Sequence, residues 1–210
     1  VLPVGQGRVP GVGGRLHWQR NGQRWRLDLD DLELGADSPK TWLSAGTNRV
    51  GGWSLAAGPL PLASIAAWRE SLPGGRATFM RGWALRGNAR DLRLALGSDG
   101  RVQRARGAIR QLVVSRNGHS CGPFELDLSV TDSSGSAALS AAQTQCALPQ
   151  LSARPYPVSA LRVEADLEQT LSGWQLHLAQ AEWRTPDFTV GVEGGLDWTP
   201  GQEPRLDLRA

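Results

Sequence analysis

Between Trp25 and Leu29 every second residue is apolar, with arginine or aspartate in the gaps. The alternation returns at Leu92–Leu96, Phe124–Val130, Leu161–Leu167, Trp174–Leu178 and Phe188–Val192. Side chains of an extended strand point to opposite faces in turn, so this spelling demands a sheet with one apolar and one wet face. Sheets of that kind are usually antiparallel. Turn-forming residues part the runs: Asn21-Gly22, Ser98-Asp99-Gly100, Asn117-Gly118, Ser133-Ser134-Gly135, Leu171-Ser172-Gly173 and Pro200-Gly201. The expectation is a mainly β chain laid out as a long antiparallel meander.

Two local features refine this. In Arg24–Leu34, RWRLDLDDLEL, the alternation resumes one position out of step after Asp30-Asp31. An extra residue at that point predicts a β-bulge that bends the strand. In Leu62–Leu72, LASIAAWRESL, apolar residues stand at 62, 65, 66, 68 and 72, close to helical spacing. Pro59 and Pro61 precede it and Pro73-Gly74-Gly75 ends it. One helix over 62–72 is predicted, with its apolar side on the sheet.

The chain also repeats itself. Val12–Leu34 and Val158–Trp183 share a small-residue start, a strand, a polar turn and a Trp-led strand of alternating leucines. Trp25 matches Trp174, and Leu27 and Leu29 match Leu176 and Leu178. Repeated strand pairs point to an extended array. Starting at Val1 and stopping inside the alternating run LDLRA, residues 1–210 are expected to be an internal piece of a longer protein.

Composition narrows the function. The net charge is +3 and Lys40 is the single lysine, a bias too small to demand a polyanionic partner, so no nucleic acid is expected. Arg101, Arg104, Arg106 and Arg110 form a basic run, but few aromatics accompany them to stack bases. No apolar run approaches the length of a membrane span, and no signal peptide is visible. Two readings stand for Cys121 and Cys146, a loop-closing disulfide or two buried thiols.

No catalytic or metal pattern emerges. Asn117–Gly122, NGHSCG, sets His119 beside Ser120, yet strand neighbours face opposite ways. No orienting acid is implied for Cys121, and a hairpin turn explains the string better. Asp28, Asp30, Asp31 and Glu33 lack the spacing of a calcium loop and read as a solvated strand face. Gly5, Gly7 and Gly11 have the wrong spacing for a dinucleotide loop, and His17, His119 and His177 make no metal pattern. No enzyme, metal or cofactor is expected. What remains is the apolar stripes. Their ordinary explanation is a sandwich or barrel sealed against itself. Against it stands the accumulation of leucines strand after strand with one short helix offered as cover.

The stretches GVGGRLHWQRNGQRWRLDLDDLEL, GPLPLASIAAWRESLPGG, RGWALRGNARDLRLAL and ALPQLSARPYPVSALRVEADLEQTLSGWQLHLAQAEW resemble the AsmA-like superfamily of bacterial envelope proteins, in particular its YhdP branch. The resemblance covers roughly residues 10–210 and rests on the order of elements. It implies an antiparallel sheet curled into an open groove, apolar inside and polar outside, repeating along the protein. It implies a periplasmic segment of an inner-membrane-anchored protein, the anchor lying in parts not present here. The implied role is to shield phospholipid acyl chains moving between inner and outer membranes. An oxidising periplasm favours the disulfide for Cys121 and Cys146.

On this reading the groove residues are Trp25, Leu27, Leu29, Leu92, Leu94, Leu96, Phe124, Leu126, Leu128, Leu161, Val163, Trp174, Leu176, Leu178, Phe188, Val190 and Val192. An exposed acyl chain costs roughly 0.8 kcal/mol per methylene, on the order of 12 kcal/mol for sixteen carbons. Two rivals differ in class. One is an adaptor that binds another envelope protein through its sheet edges. The other is a glycan domain supported by nine tryptophans, for which no acid and base pair is found.

Overall fold

The computed structural model describes residues 12–34, 40–48, 51–63, 82–147, 149–150, 152, 154–170, 173–199 and 205–209. Among them are fifteen strands: β1 (Val12–Asn21), β2 (Arg24–Leu34), β3 (Thr41–Thr47), β4 (Trp53–Ala57), β5 (Leu60–Pro61), β6 (Trp83–Leu96), β7 (Val102–Arg116), β8 (His119–Thr131), β9 (Ser134–Ala141), β10 (Thr144–Ala147), β11 (Tyr156–Val158), β12 (Ala160–Gln169), β13 (Trp174–Arg184), β14 (Thr189–Trp198) and β15 (Arg205–Arg209). All belong to one sheet, whose long path runs β1-β2-β3-β4-β6-β7-β8-β9-β12-β13-β14-β15. Every pairing is antiparallel, and β1 and β15 do not pair with each other, so the sheet is open.

The strands off this path are continuations of interrupted strands. β4 and β5 both lie along β6, parted by Gly58-Pro59. β9 and β10 both lie along β8, parted at Ala142-Gln143, where Gln143 has φ 83°. β11 and β12 follow them on the other side, parted at Ser159. With these joins the chain is a plain meander in which each strand pairs with its neighbours in sequence.

The slip at Asp30-Asp31 is a bulge. Asp31 takes φ 51°, and the register on β3 jumps between Leu29 and Leu32. Aspartate tolerates this left-handed conformation better than bulky residues do. Arg15 on β1 reaches over to the Asp31 carboxylate at 2.5 Å. Two further bulges centre on Asp91 (φ 52°) in β6 and Gln111 (φ 55°) in β7. In each, the apolar residues on either side are three apart: Leu29 and Leu32, Ala89 and Leu92, Ile109 and Leu112. The extra residue keeps both on one face while it bends the strand.

One sequence expectation shifts. The turn placed at Ser133-Ser134-Gly135 falls one residue earlier, with positive φ at Asp132 and Ser133. Gly135 sits inside β9, where a Cβ would collide with the backbone oxygen of Ser129. Of the predicted helix over 62–72, Leu62 and Ala63 are helical, and residues 64–72 lie outside the described residues. The Leu171-Ser172 and Pro200-Gly201 positions lie outside them too.

Packing is densest at one end of the apolar face. Ala57, Leu60, Leu62, Ala89, Leu112 and Phe124 form a buried cluster, against which Leu85, Val114 and Cys121 pack. Cys121 and Cys146, cross-strand partners on β8 and β10, are joined by a disulfide. Next to it Thr144 is 3% exposed and faces Val158, and its hydroxyl has no hydrogen-bond partner. A buried hydroxyl without a partner costs about 1–3 kcal/mol. Thr144→Val, which keeps the shape, is therefore expected to stabilise the fold by about 1 kcal/mol. A lower denaturant midpoint for the variant in urea would contradict this.

The opposite face is wet and charged. Arg110 binds Asp127 at 2.8 Å and Glu125 at 3.0 Å, and Arg26 binds Asp28 at 2.7 Å. The hydrogen bond from Arg110 holds the Asp127 carboxyl below its ordinary range. Asp28 is lowered chiefly by the hydrogen bond from Arg26 and then by one from Ser44. Carboxylates depressed in the fold contribute stability above their unfolded value, near pH 4, and lose it as pH falls through the folded value. Thermal unfolding is thus expected to change little between pH 7 and 5 and to move to lower temperature below about pH 4. These pairs are largely solvent-exposed, so the amplitude is small.

Candidate functional site

Cross-strand partners lie on the same face of a sheet, so the register can be followed from edge to edge. One row starts at Trp18 on β1 and passes through Leu27, Ala45 and Leu55. It continues through Leu94, Ala105, Val130 and Gly135. It ends through Leu167, Leu176 and Leu196, whose partner in β15 is Leu206. No polar residue interrupts it. The next row, one pleat along, reads Leu16, Leu29, Leu43, Ala57 and Leu92. Gly107 then lies against Leu92, and the row goes on through Leu128, Ala137, Ala165 and Leu178 to Gly194. A third row joins Leu60, Ala89, Ile109, Leu126, Leu139, Val163, Ala181 and Val192.

The rows stay in phase because of the irregularities. Without the extra residue at Asp31, Asp91 or Gln111, the leucine beyond each would turn to the wet side. The same holds in β13, where the register jumps between Leu178 and Ala181. The bulges therefore curve the sheet and also keep its apolar face continuous.

Aromatic rings stand at both ends of the strands. Trp25, Trp53 and Trp174 lie at one end of the face and Trp83, Trp183 and Tyr156 at the other. Trp18 stacks on Trp25 with centroids 5.7 Å apart. Along β13, Trp174 and Trp183 are about 30 Å apart at ~3.3 Å per residue. Between them the floor is aliphatic. Trp and Tyr suit a boundary where one side is apolar and the other wet.

Most of the predicted groove residues share this face and are half-buried: Trp25, Leu27, Leu29, Leu92, Leu94, Leu96, Leu126, Leu128, Leu161, Val163, Trp174, Leu176, Leu178, Val190 and Val192. Two differ. Phe124 is 8% exposed and belongs to the packed cluster, so it presents little free surface. Phe188 is 46% exposed and precedes β14. The Thr185 hydroxyl accepts the N–H groups of Asp187 and Phe188, and this turn takes Phe188 out of the strand. Its ring stacks on Tyr156 at 6.4 Å. The face also contains residues not picked out from the sequence, among them Leu16, Trp18, Leu43, Leu55, Ile109, Leu139 and Leu196. Leu16 and Trp18 are 59% and 55% exposed, at the edge strand. Their signal was present in the alternating LHW of β1.

An apolar hollow of ≈ 280 Å³ opens on this face among Leu55, Leu92, Leu94, Ile109, Leu126 and Leu128. A larger concavity of ≈ 1090 Å³ against β12–β15 is lined mostly by residues of the wet face, among them Asp166, Glu168, Gln175, His177, Asp197 and Asp207. Among the described residues no group of acidic, histidine or cysteine side chains is arranged to hold a metal ion. Cys121, being disulfide-bonded, offers no thiol nucleophile beside His119.

Among the described residues the arrangement is thus a single curved layer, with apolar rows running across it and a polar face behind. Neither the curated proteins nor the solved structures yield a match to the chain. A family model described as YhdP protein matches residues 6–210, nearly the full length. The chain belongs to the YhdP family of AsmA-like envelope proteins.

Proposed function

We propose that the apolar face carries the acyl chains of phospholipids in transit between the inner and outer membranes. The chain is then a periplasmic segment of an inner-membrane-anchored carrier, working without an enzymatic step. The observation that carries this reading is the set of unbroken apolar rows crossing a single open sheet. An aliphatic floor about 30 Å across, measured along the strands at ~3.3 Å per residue, has room for an acyl chain. One leaflet fills about half of a ~30 Å hydrocarbon core. The contacts are non-directional, so a lipid slides along the rows without a deep trap. Headgroups stay at the aromatic rims, in water.

The test is mass spectrometry of lipid that co-purifies with the chain from a bacterial envelope fraction. Phospholipid at a stoichiometry near one or more per chain is expected. A lipid-free chain that also fails to take up phospholipid from vesicles would overturn the proposal and favour an adaptor acting through the open edges of β1 and β15.

A further inference from the structure

At the β7–β8 turn the apolar face ends on side chains of a different kind. Trp83 is opposite Arg116, and Arg116 is opposite His119. The Arg116 guanidinium lies over the Trp83 ring, 5.2 Å from its centroid. The His119 Nδ1 is shielded from solvent and has no hydrogen-bond partner. With Val114 and Cys121 these residues line a hollow of ≈ 440 Å³. Val114 and Cys121 also pack on the buried cluster, so the hollow runs into the aliphatic floor.

Among the described residues Arg116 is the arginine seated over an aromatic ring. Arg26, Arg110, Arg162 and Arg184 are each paired with a carboxylate. Among the described residues Arg116 has none, and its charge rests on the Trp83 ring. A guanidinium stacked on an aromatic face keeps its in-plane N–H donors free, and their fork matches phosphate oxygens. Asn117, His119 and Ser120 line the same hollow. One wall is cationic and polar, and the other is apolar and continuous with the rows. That pairing fits an amphiphile with an anionic head.

We propose that this hollow seats the phosphate of a phospholipid whose acyl chains lie on the adjoining rows, with Arg116 as the principal contact. The proposal rests on the lipid-carrying reading above and adds a headgroup site to it.

The chain is loaded from vesicles holding equal amounts of phosphatidylglycerol and the diacylglycerol with the same acyl chains, and bound lipid is quantified by mass spectrometry. The wild type is expected to favour the phospholipid about tenfold, the scale of one charged hydrogen-bonded contact. Arg116→Gln is expected to bring the ratio near unity by loss of bound phospholipid while diacylglycerol is still taken up, and Arg116→Lys to restore part of it. Arg116 is exposed at a turn, and an unchanged thermal midpoint confirms that the variants fold. A preference that survives in Arg116→Gln overturns the headgroup site and leaves the lipid reading standing. So does a ratio near unity in the wild type, even if inorganic phosphate alone binds in an Arg116-dependent way. Failure of every form to bind either lipid overturns both.

Discussion

Leu176→Asp is expected to leave the sheet folded and to weaken phospholipid binding by roughly a hundredfold. Leu176 stands in the row between Leu167 and Leu196, half-buried on the open part of the face. In the lipid-free chain a carboxylate there still reaches water, so the fold tolerates it. Once an acyl chain covers the row, the charge is forced out of water at about 2.5–3.5 kcal/mol, the cost of an aspartate inside hydrocarbon. At 1.4 kcal/mol per factor of ten, that is roughly a hundredfold in affinity. Leu94→Asp, in the same row on β6, is expected to behave alike. Gln175→Asp, one residue away on the wet face, is the control and should bind as the wild type does. Titration with a fluorescent phospholipid checks all three. Equal affinities for Leu176→Asp and Gln175→Asp would mean that the leucine row is not where the lipid lies.

Loss of the Cys121–Cys146 disulfide, by reduction or by replacing both cysteines with serine, is expected to destabilise the fold by about 3 kcal/mol. The bond closes a loop with a sequence separation of 25, and constraint of the unfolded chain on that scale contributes about that much. For a chain of this size the unfolding midpoint falls by roughly 6–12 °C. The loss is also local. β10 has four residues and β11 three, so few backbone hydrogen bonds hold them once the bond is gone. Amide exchange at residues 144–147 and 156–158 is expected to rise before that of β6 and β7. A double-serine chain that melts with the wild type would refute the assignment of this role to the bond.

The fold was legible wherever a strand was long and its apolar residues were leucines or valines flanked by charges, as in β2, β8, β12 and β13. The Asp30-Asp31 bulge could be read because the slip lies between unmistakable leucines. Its counterparts at Asp91 and Gln111 could not. ARDL and IRQL break the alternation once each, and Ala89 is too small to mark a phase. β5, β10 and β11 are shorter than one period of a usable pattern, and only their partners on β6, β8 and β10 define them. In β9 the inward residues are Gly135, Ala137, Leu139 and Ala141, which contrast weakly with Ser136, Ala138 and Ser140 between them. Phe188 reads as the next beat of the Val190–Val192 strand, but Thr185 caps the turn before it and takes it out of the strand, an effect of hydroxyl geometry and not of periodicity. The cluster of Trp83, Arg116 and His119 escaped notice for another reason. Trp83 lies far from the other two in sequence, and only pairing across β6, β7 and β8 brings them together.

The unbranched order of the strands bears on how such a molecule comes into being. Among the described residues, no two strand partners are farther apart along the chain than Trp53 and Leu96. A polypeptide delivered end first can therefore assemble by accretion, each arriving strand docking onto one already in place, with little loop entropy lost at any step. Growth of this kind has no late closure on which everything waits. Its cost is that the newest strand is always a raw edge, open to the wrong neighbour until the next one lands.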